Sequence, residues 1–493
     1  MFDVAMRKRV RTVEALGLLA LVVASVFSVG FHHFDEHFQI LEFAGLKLGL
    51  TSEESLPWEY HHRMRSSLQP ALAVAACRGA EILGVRSPFA AAFFLRLVSA
   101  LLAFVCMRLL YAVYCGTFRG AEERWFLALS FLSWPAVFVG VRYSGENWAG
   151  LFFTLAFAAC FLTKRSGAPA GFLVGTLLGL SFVFRFQAAL LAAGLLAWLV
   201  LVKKAPRRHM AGLAVGMAAA VAAGILVDRW FYGEWTLAAW NYFDQNILQG
   251  KAASFGESPW WWYIRAFALK GIPPLSLLFL LAVPVAAFSR PRSPVLWSVL
   301  PFLAVHFAIG HKELRFLFPM VYFLPVLLVT AFEGMRTGRF SDVARLRTFR
   351  AFMACALAVN CACLAVAAVG PADGRVSLYR KIYDGYPGAT LLYCHGEDPY
   401  RRVGLDVRFY RRGNLEVRTV RSPGEIRLQP DRAHLWVSSD RDALRDHGTG
   451  GNLVYASHPA WLLRLNVNNW VGRSKIWYLY ELDAAPGTRQ GAP

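Results

Sequence analysis

Long apolar runs separated by short polar ones dominate the chain as far as residue 370. Runs near 13–31, 88–114, 124–140, 147–163, 168–184, 186–202, 210–227, 272–288, 294–310, 316–333 and 351–369 approach the length that carries a helix across a bilayer. Backbone N–H and C=O groups in lipid have no water to bond, so such runs read as helices. The alternating signature of a membrane β-barrel is absent. The pattern predicts a polytopic α-helical membrane protein with about eleven transmembrane helices. The run 16–29, after Arg7-Lys8-Arg9, mimics a signal peptide. It shows no clear small-residue cleavage site and more spans follow, which predicts a retained first helix.

After residue 370 the pattern changes. Short β-like runs recur at Thr390-Leu391-Leu392-Tyr393, Val407-Arg408-Phe409-Tyr410, Leu415-Glu416-Val417, His434-Leu435-Trp436-Val437 and Ile476-Trp477-Tyr478-Leu479-Tyr480, separated by turn residues. Helical pieces are expected near 441–447 and 459–465, and the tail after Ala484 reads as disordered. The expected division is a transmembrane domain over 1–370 and a small α/β or α+β domain over 371–493. The region 68–85, with Arg78 and Glu81, reads as an interfacial amphipathic helix.

Composition agrees with the membrane class: 56% of residues are hydrophobic and the mean hydropathy is +0.40. The net charge of +20 has two readings. Nucleic-acid binding is one; the other is the excess of Lys and Arg in cytoplasmic loops. The positions favour the second, and no nucleic-acid partner is expected. Arg7-Lys8-Arg9 with Arg11, Arg119 with Arg124, Lys164-Arg165, Lys203-Lys204 with Arg207-Arg208, Arg290 with Arg292, and the stretch 336–350 all fall on one side of the spans. The opposite loops are longer and carry Asp35, Glu36, Glu53, Glu54, Glu59, Asp228, Glu234, Asp244 and Glu257. This asymmetry predicts a cytoplasmic N-terminus and an outer-face C-terminal domain, which holds 18 Lys and Arg against 13 Asp and Glu. Most of the 8 Cys sit in apolar stretches, and none has metal-ligand spacing, so neither disulfide nor zinc is expected.

Charged residues at span ends invite functional readings, because charge near membrane depth is costly. In His32-His33-Phe34-Asp35-Glu36-His37-Phe38-Gln39, paired carboxylates suit a general base with a supporting acid. The same segment also reads as a solvated loop start. A metal site on His33 and His37 ranks last, for want of a third ligand. Trp58 and Glu59, followed by Arg65, suit either a membrane interface or stacking on sugar rings. Arg142, in Arg142-Tyr143-Ser144-Gly145-Glu146-Asn147, and Arg185, before Phe186-Gln187, each need an anionic partner. That partner is a protein carboxylate, a lipid headgroup or a substrate phosphate. Asn246 and Trp260-Trp261-Trp262 lie in a long outer loop that reads blandly as an aromatic belt. In His311-Lys312-Glu313-Leu314-Arg315-Phe316 three potential cations surround one carboxylate, a pattern suited to phosphate.

Taken in order, these segments resemble glycosyltransferase family 22, the GT-C membrane mannosyltransferases of N-glycan and GPI-anchor assembly. The resemblance rests on His33-Phe34-Asp35-Glu36-His37-Phe38-Gln39, Trp58-Glu59 with Arg65-Ser66, Arg142 to Asn147, Asp228 to Trp235, and the intact His-Lys-Glu-x-Arg-Phe signature at His311 to Phe316. Phe34 stands where the family usually has Pro. The resemblance implies a GT-C-like fold, a polyprenyl-phosphate mannose donor, a glycan or glycolipid acceptor, and inversion at the anomeric carbon; no nucleotide or cofactor is expected, and the sequence offers no convincing metal requirement. It implies Asp35 as base, Glu36 orienting the acceptor or substituting as base, and donor phosphate at His311, Lys312, Arg315, Arg142 and Arg185. Acceptor or sugar contacts would come from Trp58, Glu59, Arg65, Asn246 and Trp260. A bacterial member in the inner membrane is the expected source. Three other readings stay open: a transporter or flippase of a phosphate-headgroup lipid, for which no inverted repeat is visible, a non-catalytic assembly factor with a degenerate transferase fold, against which the Asp35-Glu36 pair argues, and a GT-C transferase of another sugar.

Overall fold

The computed structural model describes residues 4–163, 167–270, 272–337, 342, 346–444, 450–466 and 469–482. Two compact units emerge. One comprises Met1–Ser28, Trp58–Ala76 and Phe93–Gly370; the other comprises Val29–Pro57, Cys77–Ala92 and Pro371–Pro493.

The first unit is helical and membrane-embedded. Each apolar run of the sequence falls on helix. Among the described residues six helices are long and apolar enough to cross a membrane: Met6–Phe27, Pro88–Tyr114, Gly145–Leu162, Arg207–Tyr232, Leu314–Thr337 and one within Arg347–Gly385. Ala168–Phe184, Phe186–Leu201, Leu275–Ser289 and Pro294–Ala308 are shorter apolar helices.

The run at 124–140 is broken at Ser133 into Ala121–Leu132 and Trp134–Gly140, with Pro135 opening the second piece. Proline cannot donate to the preceding turn, so the break leaves backbone groups to satisfy. The Asn360 side chain satisfies one on each side: its Nδ2 donates to the Leu132 carbonyl (2.9 Å), and its Oδ1 accepts from Trp134 N–H (3.0 Å). This is the internal satisfaction that lipid demands.

Lipid offers no hydrophobic drive between helices, so close backbone approach through small residues takes its place. Gly171, Gly175 and Gly179 of Ala168–Phe184 face Gly212, Gly216 and Ala220 of Arg207–Tyr232. A Cβ at Gly175 would lie 2.0 Å from the Leu213 carbonyl oxygen, and one at Gly216 2.2 Å from that of Phe172. Gly194 meets the Trp297 carbonyl at 2.0 Å in the same sense.

The second unit is built on a five-stranded sheet. Thr390–His395 runs parallel to Leu415–Val420 on one side and Ala433–Ser438 on the other. Tyr478–Glu481 adds antiparallel to Ala433–Ser438, and Asn452–Ala456 pairs antiparallel with it at the far edge. Leu391, Tyr393, Trp436, Ile476, Tyr478 and Tyr480 form its core. The helix Gly374–Gly385 is capped by Asp373, whose side chain accepts from Arg375 N–H. Val29 joins this unit because its carbonyl accepts from Ala372 and Asp373 N–H (2.8 and 3.0 Å). Gly30 follows at φ +92, and a Cβ there would meet Asp373 N at 2.8 Å.

Two sequence expectations for this region change. Val407–Tyr410 is not a strand: the Arg408 and Phe409 amides bond a carboxylate, and Val407 N–H bonds the Tyr400 carbonyl (2.7 Å). The expected piece near 441–447 is bend and turn through Leu444 and otherwise lies outside the described residues, as does the tail after Ala484. A helix at Ala460–Arg464 agrees with expectation.

Gly175→Val should force the two helices apart, since the clash is with backbone. The expected result is loss of a monodisperse folded species in detergent, whereas Gly79→Val, with nothing within 4 Å of the added atom, leaves it intact. Size exclusion of both variants checks this.

Candidate active site

In the helical unit, three helix junctions deliver the charged cluster. Ser144 caps Gly145–Leu162, its hydroxyl accepting from Asn147 N–H (3.3 Å). This places Glu146 in the first turn, where the helix dipole favours an anion. Arg185 is extended (φ −154, ψ 112) between two helices and so leaves the helical path. Glu313 is likewise extended, just before the 3₁₀ segment Leu314–Phe323 that carries Arg315.

These junctions converge on Glu146. Its Oε1 lies 3.0 Å from Arg185 Nη2 and 3.3 Å from Arg315 Nη1. Glu146, Arg185 and Arg315 are all buried. Arg315 also grips Glu313 through Nε and, at 3.2 Å, through Nη2. Glu313 Oε1 is 3.0 Å from His311 Nε2, and His311 Nδ1 faces the Gly256 carbonyl at 3.2 Å. Lys312, also buried, donates to the Ile309 carbonyl, and burial pushes its ammonium below the ordinary 10.5.

A second line of contacts leads away from Arg185. Its Nε donates to Gln187 Oε1 (2.9 Å), Gln187 Nε2 donates to Tyr242 Oη (3.0 Å), and the Arg65 guanidinium lies 5.2 Å over the Tyr242 ring. Arg65 is 3.6 Å from Glu59. The loop bearing Arg65 is anchored by Asp228, which accepts from Ser67 N–H and hydroxyl (2.6 and 2.7 Å), and by Tyr232, which donates to the Arg65 carbonyl (2.7 Å). Trp58 stacks on Phe255 at 5.8 Å, and Phe255 in turn lies 6.0 Å from His311.

The structure therefore brings together Arg185, Arg315 and His311 through two carboxylates, with Arg65, Glu59 and Trp58 on adjoining contacts. Arg142 is buried; its Nη2 donates to Ser28 Oγ (2.5 Å) and its guanidinium covers Phe138 at 4.7 Å. Asn246 bonds the Tyr242 carbonyl (3.1 Å), while Trp260 is 64% exposed. Sequence reasoning did not single out Glu146, Gln187 or Tyr242 as site residues. Glu146 lay within a quoted motif, but its pairing with Arg315 spans 169 positions.

In the second unit, His33 opens the turn Phe34–Glu36. Its Nδ1 accepts from Asp35 N–H (3.2 Å), and Glu36 Oε2 accepts from His32 N–H (3.1 Å). Asp35 is half-buried and Glu36 buried. Phe34 takes the first helical position, where the missing N–H of a proline would cost nothing, so the turn accommodates either residue. Residues His37–Glu42 continue as a π-turn.

Removing Glu146 leaves two buried guanidinium groups short of a carboxylate. Glu146→Ala should lower stability by about 3–5 kcal/mol, measured by denaturant unfolding in a fixed detergent. An unchanged midpoint would show that the pairing contributes nothing.

Comparison with known proteins gives this geometry its context. The family model described as Alg9-like mannosyltransferase matches residues 15–377. GPI alpha-1,2-mannosyltransferase 3 of Bos taurus is 25% identical over 321 residues, covering 62% of this chain and 56% of that protein. The Homo sapiens protein of that name is 26% identical over 302 residues, covering 58% and 51%. GPI mannosyltransferase 3 of Trypanosoma brucei brucei is 28% identical over 345 residues, covering 58% and 59%. The chain spans about half the length of the curated relatives it matches. Among solved structures, ArnT from Cupriavidus metallidurans bound to undecaprenyl phosphate is similar with a TM-score of 0.58 and 14% identity, covering 97% of this chain and 98% of that one. Its apo state gives 0.51 and 12% over the same shares. At such identity the likeness speaks for the fold, which is of the GT-C type. With that fold and the family match across most of its length, the chain belongs to the Alg9-like mannosyltransferase family.

Proposed function

We propose that the chain is an inverting glycosyltransferase that moves mannose from a polyprenyl-phosphate mannose to a hydroxyl of a glycan or glycolipid on the outer face of the membrane. The observation that carries this reading is the Arg185–Glu146–Arg315–Glu313–His311 cluster, buried at Arg185, Glu146 and Arg315, in a member of a mannosyltransferase family. Guanidinium forks suit phosphate oxygens as they suit carboxylates. Charge of this density at span ends is costly and is the usual mark of a binding site.

In the proposed reaction the acceptor oxygen bonds to the anomeric carbon as the bond from that carbon to the phosphate oxygen breaks. The configuration inverts through an oxocarbenium-like transition state. Asp35 takes the acceptor proton, with Glu36 in support. The phosphate leaves on its prenol carrying the bonding pair. Lys312, Arg315, His311, Arg185 and Arg142 stabilise that charge, a contribution larger in the transition state than in the ground state. Trp58, Glu59, Arg65, Asn246 and Trp260 are assigned to the acceptor and sugar. The charge asymmetry supports a cytoplasmic N-terminus, and a bacterial inner membrane is the proposed location.

Asp35→Asn should abolish transfer from radiolabelled polyprenyl-phosphate mannose while leaving membrane insertion intact; full activity in that variant removes Asp35 as the base.

Lys312→Ala should lower kcat/KM for donor, with kcat falling as well as KM rising. Because burial lowers the Lys312 pKa, its charge is lost on raising pH sooner than that of an exposed lysine. Donor affinity of the wild type should therefore fall with rising pH below 10.5, and this component should be missing from Lys312→Ala. An unchanged kcat/KM and pH profile would contradict the phosphate role.

A further inference from the structure

Another buried carboxylate, Glu42, takes no part in the chemistry above, yet both of its oxygens accept hydrogen bonds. Its Oε1 accepts from His37 Nε2 (2.7 Å) and from the backbone N–H groups of Arg408 (2.8 Å) and Phe409 (3.0 Å). Its Oε2 accepts from the Thr51 hydroxyl (2.5 Å). Glu42 and His37 are both 0% exposed. Burial pushes the Glu42 carboxyl upward, but His37, the Phe409 amide and the Thr51 hydroxyl outweigh it and hold the group below its ordinary 4.5.

The π-turn explains how this arrangement forms. Its i to i+5 spacing brings residue 42 back to residue 37, where α-helical spacing would present Leu41. Two aromatic rings then stack with that of His37. Phe31 stacks at 5.0 Å and 24°, and Tyr410 at 5.5 Å and 16°. Tyr410 itself stacks on Phe89 at 4.9 Å. His37 directly follows Glu36, so whatever fixes His37 fixes the end of the Asp35–Glu36 turn. The backbone at 408–409, 366 positions away at its nearer bond, is therefore part of the mounting of that turn.

We propose that Glu42 is a positioning residue for transfer, clamping the Asp35–Glu36 turn to the 407–410 backbone through His37. The inference rests on the assignment of Asp35 as base. It makes the C-terminal region a determinant of kcat through this clamp. Misplacing a reacting group by about 1 Å costs on the order of 10²-fold in rate, and the clamp's removal should act at that scale.

The test uses the full chain in one detergent or in nanodiscs, with two readouts. In Glu42→Ala, kcat per folded molecule should fall about 10²-fold while the donor KM stays the same. Glu42→Gln keeps a carbonyl acceptor for the amides and should recover most of the rate. Hydrogen exchange should speed up together at 34–42 and 407–410 in Glu42→Ala, with the helix Gly145–Leu162 still protected. Should Glu42→Ala fail to fold, Thr51→Val deletes one donor and should show the same split at about fivefold in kcat. Unchanged kcat, or exchange that rises at 407–410 but not at 34–38, overturns the clamp. If the wild type transfers no mannose, the transferase reading fails, and paired exchange still decides whether Glu42 holds the turn.

Discussion

Everything in the helical unit turns on one constraint: charge carried to the edge of a hydrocarbon layer must be answered there. Arg185 and Arg315 are answered by Glu146, and Arg315 by Glu313 as well. Leaving one such guanidinium unanswered would cost several kcal/mol. The three helix junctions that supply these residues are therefore fixed to each other by electrostatics as much as by packing. The same arrangement packs guanidinium groups close together because Glu146 is shared between Arg185 and Arg315.

The constraint extends to neutral groups. Asn360 serves both ends of a broken helix, and glycine seams bring helix backbones together where no hydrophobic force between them is available. These features spend sequence on backbone satisfaction and close approach. They leave the junctions, rather than the helix interiors, to carry the paired charges.

Much of this was legible in the sequence. Apolar length located the helices, and a charge inside apolar sequence located Arg185 and the His311–Arg315 segment. What escaped was pairing between distant positions. Glu146 is an unremarkable residue in a polar turn until its partners 185 and 315 are known. Val407–Tyr410 has the residue types of a strand, but its amides are committed to Glu42 and Tyr400. Glu42 sits in an otherwise apolar stretch and declares nothing until the π-turn folds it onto His37. Asn246 and Trp260, chosen from sequence as acceptor contacts, lie on a loop whose aromatic exposure also fits a membrane interface.

The most direct test of the central claim is the anomeric outcome of transfer by the purified chain in proteoliposomes supplied with isotope-labelled polyprenyl-phosphate mannose and extracted lipid acceptors. Nuclear magnetic resonance of the isolated product should show mannose with configuration inverted relative to the donor, with polyprenyl phosphate released in equal amount. Retained configuration would contradict single displacement, and donor that merely changes leaflet unaltered would mark the chain as a lipid transporter.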